Sequence, residues 1–367
     1  MTASSACAAA ESPAGTARLD LSADIVELTA ALVDIPSVSR DEALIAGLVE
    51  DALRAVAHLD VTRIGNTIVA RTNLRRAERV VIAGHLDTVP VAGNAGARIA
   101  DGKLAGIGSC DMKGGVAIGL KLAAALAEPN RDVTYLFYEC EEIEASANGL
   151  TKLAATSPEL MTADFAVLCE PTDGVVEGGC QGSLHVDVIT RGKRAHSARA
   201  WSGHNAIHGA AEVLRRLTVY TPREPVVEGL AFHEGLNATG IVGGIAGNVI
   251  PDECRVGVNY RFAPDRTEAE ALAHLQDVFE GFELELLDSA PPARPGLDRP
   301  SAAAFAAAIG GTPRAKFGWT DVARFSVLGI PAVNYGPGDP GLSHTAGEYV
   351  GLDALHDCLA ALRRWLS

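Results

Sequence analysis

Residues 79–90 read RVVIAGHLDTVP. Arg79 to Gly84 is a short run, apolar at nearly every position, and it leads straight into His85, Leu86 and Asp87. A strand buried on both faces has this pattern, whereas a strand with one wet face alternates. Three further runs repeat it. Val133 to Tyr138 (VTYLFY) opens onto Glu139, Cys140, Glu141 and Glu142, and Phe165 to Leu168 (FAVL) onto Cys169 and Glu170. Pro331 to Tyr335 (PAVNY) runs out through Gly336-Pro337-Gly338 to Ser343 and His344. Helical stretches lie between them, notably Gly115 to Ala127 and Gly149 to Thr156. Apolar strands alternating with helices indicate an α/β fold whose sheet is covered on both faces. In open sheets of that class, sites are built at the carboxyl ends of the strands. Four strands here deliver histidines or carboxylates just past those ends.

The flanks complete the layout. Asp24 to Leu32 reads as a helix with Ser22 as its N-cap, and Asp41 to Val56 as a second helix. After Gly178-Gly179 the pattern changes. Leu184 to Thr190 alternates as a half-buried strand does. A helix follows over His204 to Val219, then strands over Thr239 to Ile250 and Arg255 to Phe262. Thr267 to Phe279 is a helix and Phe282 to Leu287 a strand. This order, strand-helix-strand-strand-helix-strand, is that of a ferredoxin-like α+β module. The Pro-rich segment Ala290 to Pro300 marks the return to the first domain. The expected organisation is an α/β domain over 19–179 and 291–367, with a smaller domain, 180–290, inserted in it. Residues 1–18, rich in Ala, Ser and Thr, read as an unstructured extension and not a signal peptide.

Composition narrows the functional classes. The chain has 367 residues, 48% apolar and 21% charged, an ordinary globular balance that excludes a disordered chain. Its 31 basic and 46 acidic residues leave a net charge of -15. That charge repels phosphate backbones, and no basic patch offsets it, so no nucleic-acid partner is expected. No apolar stretch reaches the roughly 18–20 residues of a membrane span, so no membrane partner is expected either. The seven cysteines are dispersed, with no CxxC spacing. They read as reduced thiols in the cytoplasm.

His85, Glu142, Glu170 and His344 lie past strand ends. Asp111 lies in the Gly-rich loop GIGSCDMKGG (106–115), which opens a helix. That loop carries neither GxxxxGK[ST] nor GxGxxG and places an acid where a phosphate would sit. The five side chains form a nitrogen and oxygen ligand set that suits zinc or a similar divalent ion. They suffice for two ions, roughly 3.5–4 Å apart, if one carboxylate bridges. Asp87, two residues beyond His85, could accept the free imidazole N–H and fix the ring. Glu141 and Glu142 are neighbours in an extended run, so their side chains point apart. One can be a ligand and the other a general base, and geometry alone leaves open which. Cys110, Cys140 and Cys169 precede site acids and read as small buried packing residues.

Together, Gly84-His85-Leu-Asp87-Thr-Val-Pro, Cys-Asp111-Met-Lys-Gly-Gly, Glu141-Glu142, Cys-Glu170-Pro and Ser-His344 resemble the dinuclear zinc aminoacylase/carboxypeptidase family of metallohydrolases. The resemblance runs from about Leu21 to the end of the chain. It implies a catalytic domain with a mixed sheet covered by helices and an inserted domain that forms a homodimer. It implies two Zn²⁺ per subunit, with Co²⁺ able to substitute. His85 and Glu170 would hold one ion, Glu142 and His344 the other, and Asp111 would bridge them through a turn with a cis Asp111–Met112 peptide. Asp87 would orient His85, Glu141 would be the general base, and His196 would reach from the partner subunit to the oxyanion.

Asp34-Ile-Pro-Ser-Val-Ser39, Asn248-Val-Ile-Pro251, Asn259-Tyr-Arg261-Phe and Lys316-Phe-Gly-Trp319-Thr320-Asp321-Val-Ala-Arg324-Phe are similar to actinobacterial members of the family. Those members remove succinate from N-succinyl-LL-2,6-diaminopimelate, on the route to diaminopimelate and lysine. The alternative substrates are N-acetylornithine, another small anionic N-acyl amino acid, or a dipeptide. Ser343-His344 departs from the family's Ala-His. For a substrate with three carboxylates, Arg261 and Arg324 are the candidate carboxylate forks. Ser183, Asn248 and Thr320 are the candidate hydrogen-bond partners.

Overall fold

Residues 18–367 are described in this computed structural model. The expected unstructured extension therefore lies outside the described residues, Arg18 excepted. Among the described residues, eight strands form one mixed sheet. Its spatial order is Asp60–Ile64, Thr67–Arg71, Asp132–Tyr138, Arg79–His85, Phe165–Leu168, Ala332–Asn334, Glu177–Gly178 and Arg314–Ala315. Arg79–His85 runs parallel to both Asp132–Tyr138 and Phe165–Leu168, and Phe165–Leu168 runs parallel to Ala332–Asn334. The four apolar strands thus end on one edge. Within Arg79–His85 every residue but the first is buried, and alternate side chains enter opposite cores. Val80 and Ile82 join a core built with the helices Ile25–Val33, Ala43–Arg54, Gly114–Ala125 and Leu352–Leu366. Val81 and Ala83 join a second, with Gly149–Thr156 and Val322–Val327. Burial on both faces explains the unbroken apolar run.

The second sheet is antiparallel, in the order Gly235–Gly243, Glu253–Phe262, Gly182–Arg191, Glu283–Ala290, which is ferredoxin-like. Val186, Val188, Val256 and Val258 form its core with the helices Ala206–Val219 and Glu268–Val278. Its opposite face carries ion pairs such as Arg255 with Asp187. That division produces the alternation along Glu253–Phe262. Among the described residues, no helix is long and apolar enough to cross a membrane.

Two details differ from expectation. Asp24, not Ser22, caps the first helix: its carboxylate accepts the Val26 N–H at 2.9 Å, while the Ser22 hydroxyl donates to Asp20. The strand expected over 239–250 runs from Gly235 to Gly243 and stops where Gly244 takes a φ of 92°. Val249–Ile250 pairs separately, with Ala195–His196.

The helix Gly114–Ala125 approaches the strand ends so closely that a Cβ on Gly115 would lie 2.1 Å from the Cys169 carbonyl oxygen. That atom is backbone and cannot rotate away. Gly115→Ala is expected to cost about 1–3 kcal/mol or more through overpacking, read as a lowered urea midpoint. An unchanged midpoint would contradict this close packing.

Candidate active site

His85, at the end of its strand, is 1% exposed. Its Nε2 lies 3.1 Å from Asp111 Oδ1. Asp111 sits on the irregular turn Ser109–Lys113 before the helix Gly114–Ala125, and its peptide to Met112 is cis. The second oxygen, Asp111 Oδ2, lies 3.5 Å from His344 Nε2, and that nitrogen lies 3.0 Å from Glu142 Oε1. The four side chains therefore form a continuous chain, His85, Asp111, His344, Glu142. Ligand atoms of His85, Asp111 and Glu142 all fall within 4.8 Å of one another. Glu170 is buried beside them, and its Oε1 has no hydrogen-bond partner among the described residues.

The electrostatics show the crowding. Burial opposes charge on His85, but Asp111 and Asp87 outweigh it and hold the imidazole well above its usual pKa. Burial likewise opposes ionisation of Asp111, but His344 and His85 keep its carboxyl far below the carboxylate range. Hydrogen bonds to Asp111 and Glu142 raise His344 to about 10. Glu170 is pushed up to about 8, by burial and then by Asp111. Three carboxylates in so small a volume call for positive charge, which divalent cations could supply.

Neighbouring groups fix the geometry. Asp87 was expected to present its carboxylate to His85. The closer contact to His85 Nδ1 is instead the Asp87 backbone carbonyl, at 3.0 Å, with Oδ1 at 3.5 Å. The carboxylate chiefly holds the next turn, accepting the N–H groups of Glu141 (3.0 Å) and Glu142 (3.1 Å) and the Ser39 hydroxyl (2.7 Å). Buried Glu42 accepts the Cys140 N–H at 3.1 Å from below the same turn. So anchored, Glu141 and Glu142 both line the cavity, and of the two it is Glu142 that pairs with His344. Burial, then the nearby Asp321, pushes the Glu141 carboxyl well above its usual range. Cys110, Cys140 and Cys169 are buried free thiols.

A cavity of about 700 Å³ opens over this edge, with walls that include Glu141, Arg261, Lys316, Thr320, Arg324 and His344. The Arg261 Nε donates to Asn259 (3.1 Å), and the Thr320 hydroxyl to Asn334 (3.0 Å). Arg324 pairs with Asp321 and lies over the Trp319 ring at 5.0 Å. Ser183 does not line the cavity. It is buried, its hydroxyl accepts from Asn259 at 3.2 Å, and it thereby backs up Arg261. His196 and Asn248 are exposed, also lie outside the lining, and adjoin one another through a Ser197 N–H donated to the Asn248 carbonyl at 2.9 Å. Lys316 was not among the expected site residues, although it opens one of the segments quoted above. Its Nζ lies 3.1 Å from Glu177.

Residues 81–367 match Peptidase family M20/M25/M40, and the chain belongs to that family. It is 54% identical over 351 residues to the DapE protein of Mycobacterium tuberculosis, covering 95% of this chain and 99% of that one. It is 44% identical over 360 residues to the succinyl-diaminopimelate desuccinylase of Corynebacterium glutamicum, covering 95% and 98%. A tripeptidase structure from Staphylococcus aureus shares the fold with a TM-score of 0.76 at 22% identity, covering 93% of this chain and 96% of that one.

Proposed function

We propose that this protein is a cytoplasmic, zinc-dependent amidohydrolase. It cleaves N-succinyl-LL-2,6-diaminopimelate to succinate and LL-diaminopimelate. The observation that carries this reading is the cavity itself, in which Asp111, Glu142, His344 and Glu141 share the wall with Arg261, Lys316 and Arg324, and His85 is buried behind Asp111. Near full-length similarity to the Corynebacterium glutamicum desuccinylase supports the choice of substrate.

The donor set fits two divalent ions: every side chain offers nitrogen or oxygen, and the buried Glu170 Oε1 is left without a partner. His85 and Glu170 would hold one ion, Glu142 and His344 the other, with Asp111 shared. Bound there, zinc lowers the pKa of water and polarises the acyl oxygen. Glu141 takes the proton of the attacking water and hands it to the departing amine. Arg261, Lys316 and Arg324 hold the substrate's carboxylates, and Thr320 offers a hydroxyl beside them. His196 of a second copy donates to the developing oxyanion. A homodimer through the inserted domain brings it there. Exposed Ile241, Val242 and Ile245 lie on or beside the edge strand of that domain and favour such an interface.

A panel of amides offered to the zinc-loaded protein tests the substrate. Lys316 and Arg324 already pair with Glu177 and Asp321, so Arg261 is the cavity cation that a missing substrate carboxylate leaves unpaired. The succinylated diamino acid should therefore exceed N-acetylornithine by about 10⁴-fold in kcat/KM. Faster hydrolysis of N-acetylornithine or of a dipeptide would replace the substrate while keeping the chemistry.

A further inference from the structure

Glu348 lies four residues beyond His344 and is 2% exposed. It contributes nothing to the cavity wall. Its Oε1 accepts two backbone N–H groups, those of Cys110 at 2.9 Å and of Asp111 at 3.0 Å. Its own carbonyl accepts the Gly106 N–H at 3.2 Å. Nearby, the Thr345 carbonyl accepts from Asn94 Nδ2 at 3.2 Å, and the Asn94 carbonyl accepts the Ile107 N–H at 2.9 Å. Segment 345–348 is thus stitched to segment 106–111 at several points, although Asp111 and Glu348 are 237 residues apart in sequence.

One stitched segment contains Asp111, and the other begins directly after His344. Asp111 stands between both histidines. His344 is half-exposed on a loop, with a left-handed φ of 62°, so its side chain has little packing to hold it. A carboxylate that receives two backbone N–H groups forms charge-assisted bonds, stronger than neutral ones. Buried, it also fixes direction: the plane of the Asp111 backbone, and hence the aim of its side chain, is set by an atom from the loop that carries His344.

We propose that Glu348 is a positioning residue that locks the Asp111 turn to the His344 loop and so assembles the two halves of the metal cluster. The proposal rests on the reading of Asp111 and His344 as metal ligands.

The test compares Glu348→Ala with Glu348→Gln in the full-length protein. Gln keeps a carbonyl oxygen where Oε1 sits, whereas Ala removes the acceptor. Glu348→Ala should bind zinc about 10–100-fold more weakly and show an altered visible spectrum when loaded with Co²⁺. Glu348→Gln, which keeps the acceptor but not its charge, should recover most of both. In the metal-free proteins, hydrogen exchange at the Cys110 and Asp111 amides should be fast for Ala and protected for wild type and Gln. Should Ala fail to fold, Glu348→Asp, which withdraws the oxygen by one methylene, carries the same expectations. Wild-type zinc affinity and Co²⁺ spectrum in the Ala or Asp variant would overturn the proposal, as would a Gln variant as impaired as Ala. If wild type itself binds fewer than two ions while the amide pattern holds, the dizinc reading fails and the lock stands.

Discussion

Glu141→Gln will lower kcat by about 10²–10⁴-fold, the range of a lost general base, while both zinc ions stay bound. Glu142→Gln will instead release one ion. The two residues are adjacent and chemically identical, so the contrast depends on where the turn aims them. Asp87 holds both backbone N–H groups. From that anchor Glu142 Oε1 lies 3.0 Å from His344 Nε2, whereas the Glu141 side chain, on the same cavity wall, pairs with neither site histidine among the described residues. Glutamine keeps the shape of Glu141 and cannot take a proton. Zinc content by atomic spectroscopy, beside single-turnover rates, separates the variants, and equal metal loss in both would overturn the assignment.

His196→Ala will cost about 10²–10³-fold in turnover, the worth of an oxyanion donor, without loss of zinc. The side chain is exposed and outside this chain's own cavity, so the proposed role places it on another copy's substrate. Glu141→Ala will also be nearly inactive. Co-expressing the two dead variants will restore activity, because each mixed dimer holds one site with a native Glu141 and a native His196 from its neighbour. Verified mixed dimers no more active than their parents would show that His196 does not act across an interface.

The parallel core was readable because its strands are buried on both faces, which leaves an unbroken apolar signature, and four such signatures ended in ligand-type residues. The Asp60–Ile64/Thr67–Arg71 hairpin is less legible: Thr67–Arg71 is a short buried run that ends in no ligand-type residue, and Asp60–Ile64 is short and only half-buried, although the turn residues, Gly65 and Asn66, are typical of tight hairpins. The strand that begins at Gly235 ends earlier than its sequence pattern implies, because Ile245 and Val249 continue the β-branched pattern past glycines that break it. At the site, residue spacing put Asp87 on the side of His85 but could not say whether its backbone or its carboxylate would reach the ring. Glu42 and Glu348 act on backbone N–H groups far away in sequence, and no local pattern records such a bond. Lys316 is one basic residue among many until the fold places it on the cavity wall.

The bond between Glu348 and the Asp111 turn also sets a timetable for the growing polypeptide. As the chain leaves the ribosome, the strands ending at His85, Tyr138 and Leu168 emerge first, and their acids come to face one another with no His344 to join them. The strand Ala332–Asn334 must still dock beside Phe165–Leu168, with the whole inserted module already made between them. Contacts so distant in sequence form late and slowly. A nascent or stalled chain is thus a partly built sheet edge, whose Asp111 and Glu142 meet His344 only after the segment that carries it has been made.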